Sequence, residues 1–391
     1  MPACTSFSSM KPMPRDPYGA ALWPVLQANL RDHLQGRSGQ AHGRMGRLRA
    51  PEAKGPLIWL KTGDTRASVR LGAELMGAIR RKRLDARLVL TFEREYRDEV
   101  LRRLRGMNRF GLGFGPCDRP RAVSRVLDRL KPLGLILVDT PPRRQLVERA
   151  VEQGVHVLAF NTGPTPVPVE AAYPRDEIAA AQWRDAGRAG TLAEPADPAS
   201  LLAESQNQAT LLSMVPDGTP IFWWHGPARA WPAMRDAWQA SPLSGSALLC
   251  VSVEPSDALP EGEGLALSQW TRTSLAAGTL LWVDDSAWWP AVASAALGVH
   301  LCGADRDLLW QVLAGSVSLS SDDSLRAAFP WLHPMAPELS RPAQVIDHWR
   351  AEAADPIGSR QRADTGRRRF WEERRRVQGV MDAFLQRVFD W

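Results

Sequence analysis

Apolar runs and helical-period stretches alternate along the first half of the chain. Leu57–Leu60 follows Gly55-Pro56 as a short apolar run with no polar alternation, the pattern of a strand buried on both faces. Thr65–Arg83 then carries Val69, Ala73, Met76 and Ile79 at a helical period. Ala86–Thr91 is a second apolar run, and Arg94–Gly106 and Arg121–Leu130 read as helices. Leu135–Asp139 is a strand, Arg143–Gln153 a helix and Val155–Asn161 a strand. Such alternation predicts a parallel sheet covered by helices. Ahead of it, Tyr18–Leu34 predicts one amphipathic helix with Leu22, Val25, Leu26, Leu30 and Leu34 on one side. Arg44–Lys54 reads as a basic loop.

Gly163–Pro198 breaks this rhythm. It holds Gly163-Pro164-Thr165-Pro166-Val167-Pro168 and then Ala/Asp-rich sequence, which predicts a linker with a helix over Asp176–Ala186. A second series follows. Thr219–Trp224, Ala247–Val253, Thr279–Val283, Val299–Cys302 and Ser316–Leu319 read as strands, and Trp231–Gln239, Trp289–Leu297 and Arg306–Ala314 as helices. Arg360–Trp391 closes the chain as one long helix. The expected organisation is a basic segment at 1–54, an α/β domain at 55–165, a linker at 166–200, a second α/β domain at 201–358 and a C-terminal helix at 359–391. A chain of 391 residues suits two such domains. Ligands in these sheets bind outside the carboxyl ends of the strands. The loops after Leu60, Thr91, Asp139, Asn161, Trp224, Val253, Val283 and Cys302 are therefore where chemistry is expected.

The formal net charge of +6 hides an asymmetry. Met1–Ala150 holds 30 Lys+Arg against 14 Asp+Glu, a balance of +16, and the remainder nets −10. A basic half suggests an anionic partner: nucleic acid, an anionic membrane surface or a phosphorylated acceptor. Arginines on solvated helix faces are the alternative. Aromatics such as Trp59, Phe92 and Phe110 are scattered, and no nucleic-acid module is present, which argues against nucleic acid. Cys4, Cys117, Cys250 and Cys302 form no CxxC pair, so a disulfide framework or zinc knuckle is not expected. Asp284-Asp285 and Asp322-Asp323 read as helix caps or solvated loops, and no metal or cofactor is expected. No run approaches the roughly 18 apolar residues of a membrane helix, and Met1–Met13 has no signal-peptide pattern. A soluble cytoplasmic protein is the expectation.

Several of these segments together carry a family resemblance. From Gly46, Arg47-Leu48-Arg49 and then Gly55-Pro56-Leu57-Ile58-Trp59-Leu60 lead into a polar loop ending Gly63-Asp64 and a helix. Pro116-Cys117-Asp118-Arg119-Pro120 precedes a helix, Lys131-Pro132 and the strand Leu135–Asp139. A later helix ends at Gly154, and the next strand ends at Asn161. Over Gly46–Asn161 this order resembles the N-terminal domain of 3-deoxy-D-manno-octulosonic acid (Kdo) transferases. The resemblance implies a GT-B fold: two Rossmann-like domains with a cleft between them and a C-terminal crossover helix. It also implies a CMP-Kdo donor in the second domain and a phosphorylated lipid A-type acceptor in the first, as in lipopolysaccharide core biosynthesis. The basic first half suits such an acceptor on the inner face of an anionic membrane. Many family members carry an N-terminal anchor; here Tyr18–Leu34 would lie on the interface instead.

The family's catalytic base is the Glu of its S-V-G-E motif, and the matching position here is Asp64, in Lys61-Thr62-Gly63-Asp64. Asp64 reads either as a base for an acceptor hydroxyl or as the N-cap of the next helix. Lys61, Thr62 and Gly63 are expected beside the substrate. Asp139 falls at the first Glu of the family's E-x-E-x-W-P-N, whose Trp-Pro-Asn is lost, and Asn161 keeps the Asn of N-x-R. In the second half His225 aligns with the family's S-T-H loop and Gly303 with its Gly-rich loop, followed by Asp305 and Asp307, which would repel phosphate. Val253-Glu254-Pro255-Ser256-Asp257 lacks the donor-side Arg and His of P-R-H-P-E-R. The resemblance thus leaves three readings open: a Kdo transferase, a transferase for another nucleotide sugar, or a binding or scaffold protein that kept the fold.

Overall fold

The computed structural model describes residues 16–204, 211, 215–254, 264–270, 275–333 and 335–391. The Ser256-Asp257 correspondence lies outside them. The chain divides into two compact units, Met1–Ala196 with Val380–Trp391, and Asp197–Gly379.

The first unit opens with helices α1 (Leu22–Leu34) and α2 (Ser38–Arg44). Seven strands then alternate with helices: β1 (Leu57–Thr62), α3 (Arg66–Lys82), β2 (Arg87–Phe92), α4 (Arg97–Arg103), β3 (Phe110–Phe114), α5 (Pro120–Leu130), β4 (Gly134–Val138), α6 (Arg144–Glu152), β5 (His156–Phe160), β6 (Val169–Tyr173), α7 (Glu177–Ala186) and β7 (Ala189–Leu192). The strand order is β3-β2-β1-β4-β5-β6-β7, and every pairing is parallel. β1 and β4 are buried along their whole length, which explains their lack of polar alternation. Trp59 sits between Val89 and Leu135 in register and joins Leu127, Leu137 and Val147 in the core.

Two expectations are corrected here. Segment 166–200 is not a linker, because β6, α7 and β7 extend the first sheet through it. Its prolines at 164, 166 and 168 stop short of β6, where their missing N–H groups would break the ladder. Asp176 then caps α7 by accepting from the Ala179 N–H, and the Trp183 indole buries itself and donates to the Thr162 carbonyl. Second, β3 stands where no strand is expected. Its Gly111 and Gly113 disfavour a strand in isolation. Packing favours glycine at 113, since a Cβ there would lie 2.5 Å from Leu48 Cδ1 and push that side chain aside.

The second unit holds α8 (Ala199–Leu202), β8 (Ile221–Gly226), α9 (Trp231–Gln239), β9 (Leu248–Val253), β10 (Leu265–Ala266), β11 (Leu280–Trp282), α10 (Trp289–Ala295), β12 (Gly298–Leu301), α11 (Arg306–Gly315), β13 (Ser318–Ser321), α12 (Asp323–Ala328) and α13 (Pro342–Ala354). Its sheet runs β10-β11-β9-β8-β12-β13, again all parallel. Trp223 and Trp224 are core: Trp223 packs on one face with Trp310, and Trp224 on the other with Phe222, Trp238 and Trp349. Phe222 and Trp349 stack with centroids 5.0 Å apart.

Helix α14 (Pro356–Phe389) starts in the second unit, and its last turns belong to the first. Phe384 packs there edge-on against Phe160 and Tyr173. The Arg83 guanidinium donates to the carbonyls of Val388 and Phe389. Trp391 stacks on His156 and donates to Glu170. Its ring lies so close to Gly134 that a Cβ there would collide with it. Gly134→Ala is therefore expected to cost about 1–3 kcal/mol of unit stability by overpacking. Adding Trp391→Ala should recover most of that loss in a denaturant titration; a double variant as weak as the sum of both singles would contradict the contact.

Candidate functional site

An all-parallel sheet opens a crevice where the strand order reverses. In the first sheet that point lies between β1 and β4, and in the second between β8 and β12. Asp64, Asp139 and Asn161 stand at the carboxyl ends of β1, β4 and β5. His225 and Gly303 stand at those of β8 and β12.

At the first point the chain approaches itself closely. Gly63 is buried, and a Cβ there would lie 2.8 Å from the Asp139 carbonyl oxygen. Asp64 follows on the exposed side. Helix α3 is capped by the next residue: the Thr65 hydroxyl accepts from the Ser68 N–H at 3.1 Å. The expectation that Asp64 itself is the cap is thereby corrected. Asp139 and Asn161 both adopt left-handed backbone, with φ of 42° and 53°. Asp and Asn tolerate that region better than other side chains with a Cβ. Asn161 Nδ2 donates to Asp139 Oδ1 at 3.1 Å, while its Oδ1 is buried without a partner.

Lys61 and Thr62 are corrected as substrate contacts, because both are fully enclosed. The Thr62 hydroxyl donates to the Thr91 carbonyl. Lys61 Nζ donates to Glu93 Oε1 at 2.7 Å and to Thr140 Oγ1 at 3.3 Å. Arg143 Nη2 also donates to both Glu93 oxygens, at 2.9 and 3.0 Å, its Nε donates to Oε1 at 3.3 Å, and Arg143 in turn binds Asp16. Burial works against ionisation of Glu93, but Lys61 and Arg143 outweigh it and hold its carboxyl below the usual range. Glu93 and Arg143 were absent from the expected site. The available signal was Glu93's place as the first charged residue after the apolar run of β2. Asp118, within the Pro116–Pro120 segment, accepts from the Leu146 N–H of α6, so it serves the fold.

At the second point His225 is buried, and its Nδ1 lies 2.8 Å from Ser252 Oγ, which also accepts from the Trp223 indole. Its Nε2 is buried without a partner. Burial pushes the imidazole down to about 4, despite the nearby Asp305 carboxylate. The Gly303 N–H, at φ 88°, already donates to Asp322 Oδ2 at 3.1 Å. Asp305 caps α11 by accepting from the Leu308 N–H, and Arg306 pairs with Asp197 at 2.6 Å. The amino end of α11 thus carries its own anion. Asp285 and Asp322 are caps as well.

Two outcomes follow from this geometry. Thr65→Ala should cost about 1 kcal/mol through loss of the cap. Asp64→Ala should stay within about 0.5 kcal/mol of wild type; the reverse order in thermal unfolding would contradict the assignment. As pH falls from about 6.5 to about 4, the unfolded chain takes up a proton at His225 that the folded chain refuses. Stability should then fall by up to about 1.4 kcal/mol per pH unit from this group. A His225→Gln variant should show a shallower fall over that window; an unchanged slope would refute the assignment.

No family model matches the sequence, and no curated protein matches it. Solved structures do match in fold. Arabidopsis thaliana UGT89C1, complexed with UDP, superposes with a TM-score of 0.54 at 11% identity, covering 84% of this chain and 100% of that one. Phytolacca americana UGT2, with UDP-2-fluoro-glucose and pterostilbene, gives 0.53 at 10% identity, covering 84% and 99%. A UDP-N-acetylglucosamine 2-epimerase gives 0.53 at 10% identity, covering 85% and 97%. Two Rossmann-like parallel-sheet domains are the make-up of the GT-B fold.

Proposed function

We propose that the chain is a glycosyltransferase that binds a nucleotide-sugar donor at the β8/β12 switch point and an acceptor hydroxyl at the β1/β4 switch point. The observation that carries the reading is Asp64. It is exposed at the carboxyl end of β1, and Thr65 relieves it of capping. In that role its carboxylate takes the acceptor proton as the oxygen attacks the sugar's anomeric carbon, and the nucleotide leaves. Asp139, Asn161 and the buried Gly63 shape the crevice beside it. On the donor side the candidate is His225, whose buried Nε2 has no partner within the protein and would need the site to open to reach a bound group. The structures with UDP and a UDP-sugar support the donor class. The narrower reading is transfer of Kdo from CMP-Kdo to a phosphorylated lipid A-type acceptor at the inner membrane face. It rests on the Gly46–Asn161 resemblance and the basic first half.

A second reading has its own support. The Gly303 N–H and the amino end of α11 are occupied by Asp322 and Asp305, which favours a protein that kept the fold for binding or scaffolding.

Calorimetry with a panel of CMP- and UDP-sugars separates the two. The enzyme reading predicts saturable heat with at least one donor. It also predicts that Asp64→Asn keeps the melting temperature while turnover drops about 100- to 10,000-fold. Silence across the panel would favour the scaffold, and a fully active Asp64→Asn would remove Asp64 from the mechanism.

A further inference from the structure

Helix α1 wears its leucines on the outside. Leu22, Trp23, Leu26, Leu30 and Leu34 are 51, 67, 45, 63 and 80% exposed. At about 100° per residue they share one arc of about 120°. The opposite face, Val25, Ala28 and Asp32, is buried. The orientation is pinned by charge: buried Asp32 pairs with buried Arg44 at 2.6 Å, and Arg44 also donates to Asn29 at 2.6 Å. Turning the leucines inward would break that pair and strand two buried charges. The expected grouping of Val25 with the leucines is corrected, because Val25 is buried while they are exposed. A contiguous exposed apolar face of this kind marks an interaction surface.

The charges around it select the partner. Residues 16–49 carry five arginines and two aspartates. Both aspartates are neutralised, Asp32 by Arg44 and Arg37 and Asp16 by Arg143. Arg31 and Arg37 stand exposed next to the stripe. Beside it, Pro17, Pro24, Ala28, Leu30 and Leu34 line an open groove of about 470 Å³. An apolar stripe with a Trp at one end and arginines at its flank is the chemistry of a helix lying in an anionic bilayer interface. No described helix is long and apolar enough to cross a membrane.

We propose that this face of α1 docks the protein onto an anionic lipid surface, the leucines entering the acyl boundary and Arg31 meeting headgroup phosphates. This deepens the proposed function, because a lipid-linked acceptor requires access to a bilayer. The test is cosedimentation of the full chain with phosphatidylcholine vesicles containing 30% phosphatidylglycerol, in about 0.1 M salt and without sugar nucleotide.

Wild type should bind these vesicles and leave pure phosphatidylcholine vesicles largely unbound. Leu26→Ser/Leu30→Ser should weaken binding at least about tenfold with an unchanged melting temperature. Arg31→Gln should weaken it about fivefold on anionic vesicles only. Trp23→Ala provides the same readout should the double variant fail to fold. A double variant that binds like wild type overturns the proposal. So does a wild type that ignores vesicles and forms a dimer which the double variant dissolves. Vesicle binding without sugar transfer leaves docking intact and sinks the transferase reading; transfer to a soluble acceptor without vesicle binding does the opposite.

Discussion

A lysine ammonium sits with no solvent exposure in β1, an inner strand of the first sheet. Unpaired, such a charge would cost several kcal/mol, so its partners are obligatory. Lys61 finds Glu93 at the end of β2 and Thr140 just past β4. Glu93 in turn holds Arg143 at the start of α6, and Arg143 holds Asp16 in the N-terminal segment. One buried cation therefore ties together the loops that flank the β1/β4 crevice. Gly63 can press against the Asp139 backbone, and Asp64 emerges at a fixed place on its rim.

The two sheets share one design and differ in what their carboxyl ends offer. The first presents an exposed carboxylate and two left-handed polar residues, a backbone state that clusters at functional sites. The second turns its own aspartates inward onto the amides of Gly303 and α11. Among the described residues there, His225 keeps an unpartnered buried polar atom at the switch point. A phosphate arriving at α11 would have to displace or coexist with Asp305, so backbone N–H binding alone does not explain a donor there. Under the transferase reading, His225 would have to supply what the helix end withholds.

Strands buried on both faces were legible as unbroken apolar runs, which is why β1, β2, β4 and β5 could be read from sequence. β3 was not, because its glycines answer to Leu48 and Pro51, residues far away in sequence. The prolines near position 166 signalled a break in the sheet but marked only a loop between two of its strands. The leucine period of α1 identified a helix and left open which side is buried; the Asp32–Arg44 pair decides that. Asp64 was found through family spacing, whereas its release from capping depends on the neighbouring Thr65 hydroxyl. The Lys61–Glu93–Arg143 chain was invisible, since nothing local joins residues 32 and 50 positions apart.

The most direct measurement is amide hydrogen exchange of the full chain with and without saturating nucleotide sugar. If the second switch point holds the donor, the segments around His225–Gly226 and Cys302–Leu308 should gain protection. The sheet core should exchange as before. Protection confined to other segments, or none at saturating donor, would contradict a donor site at the β8/β12 switch point.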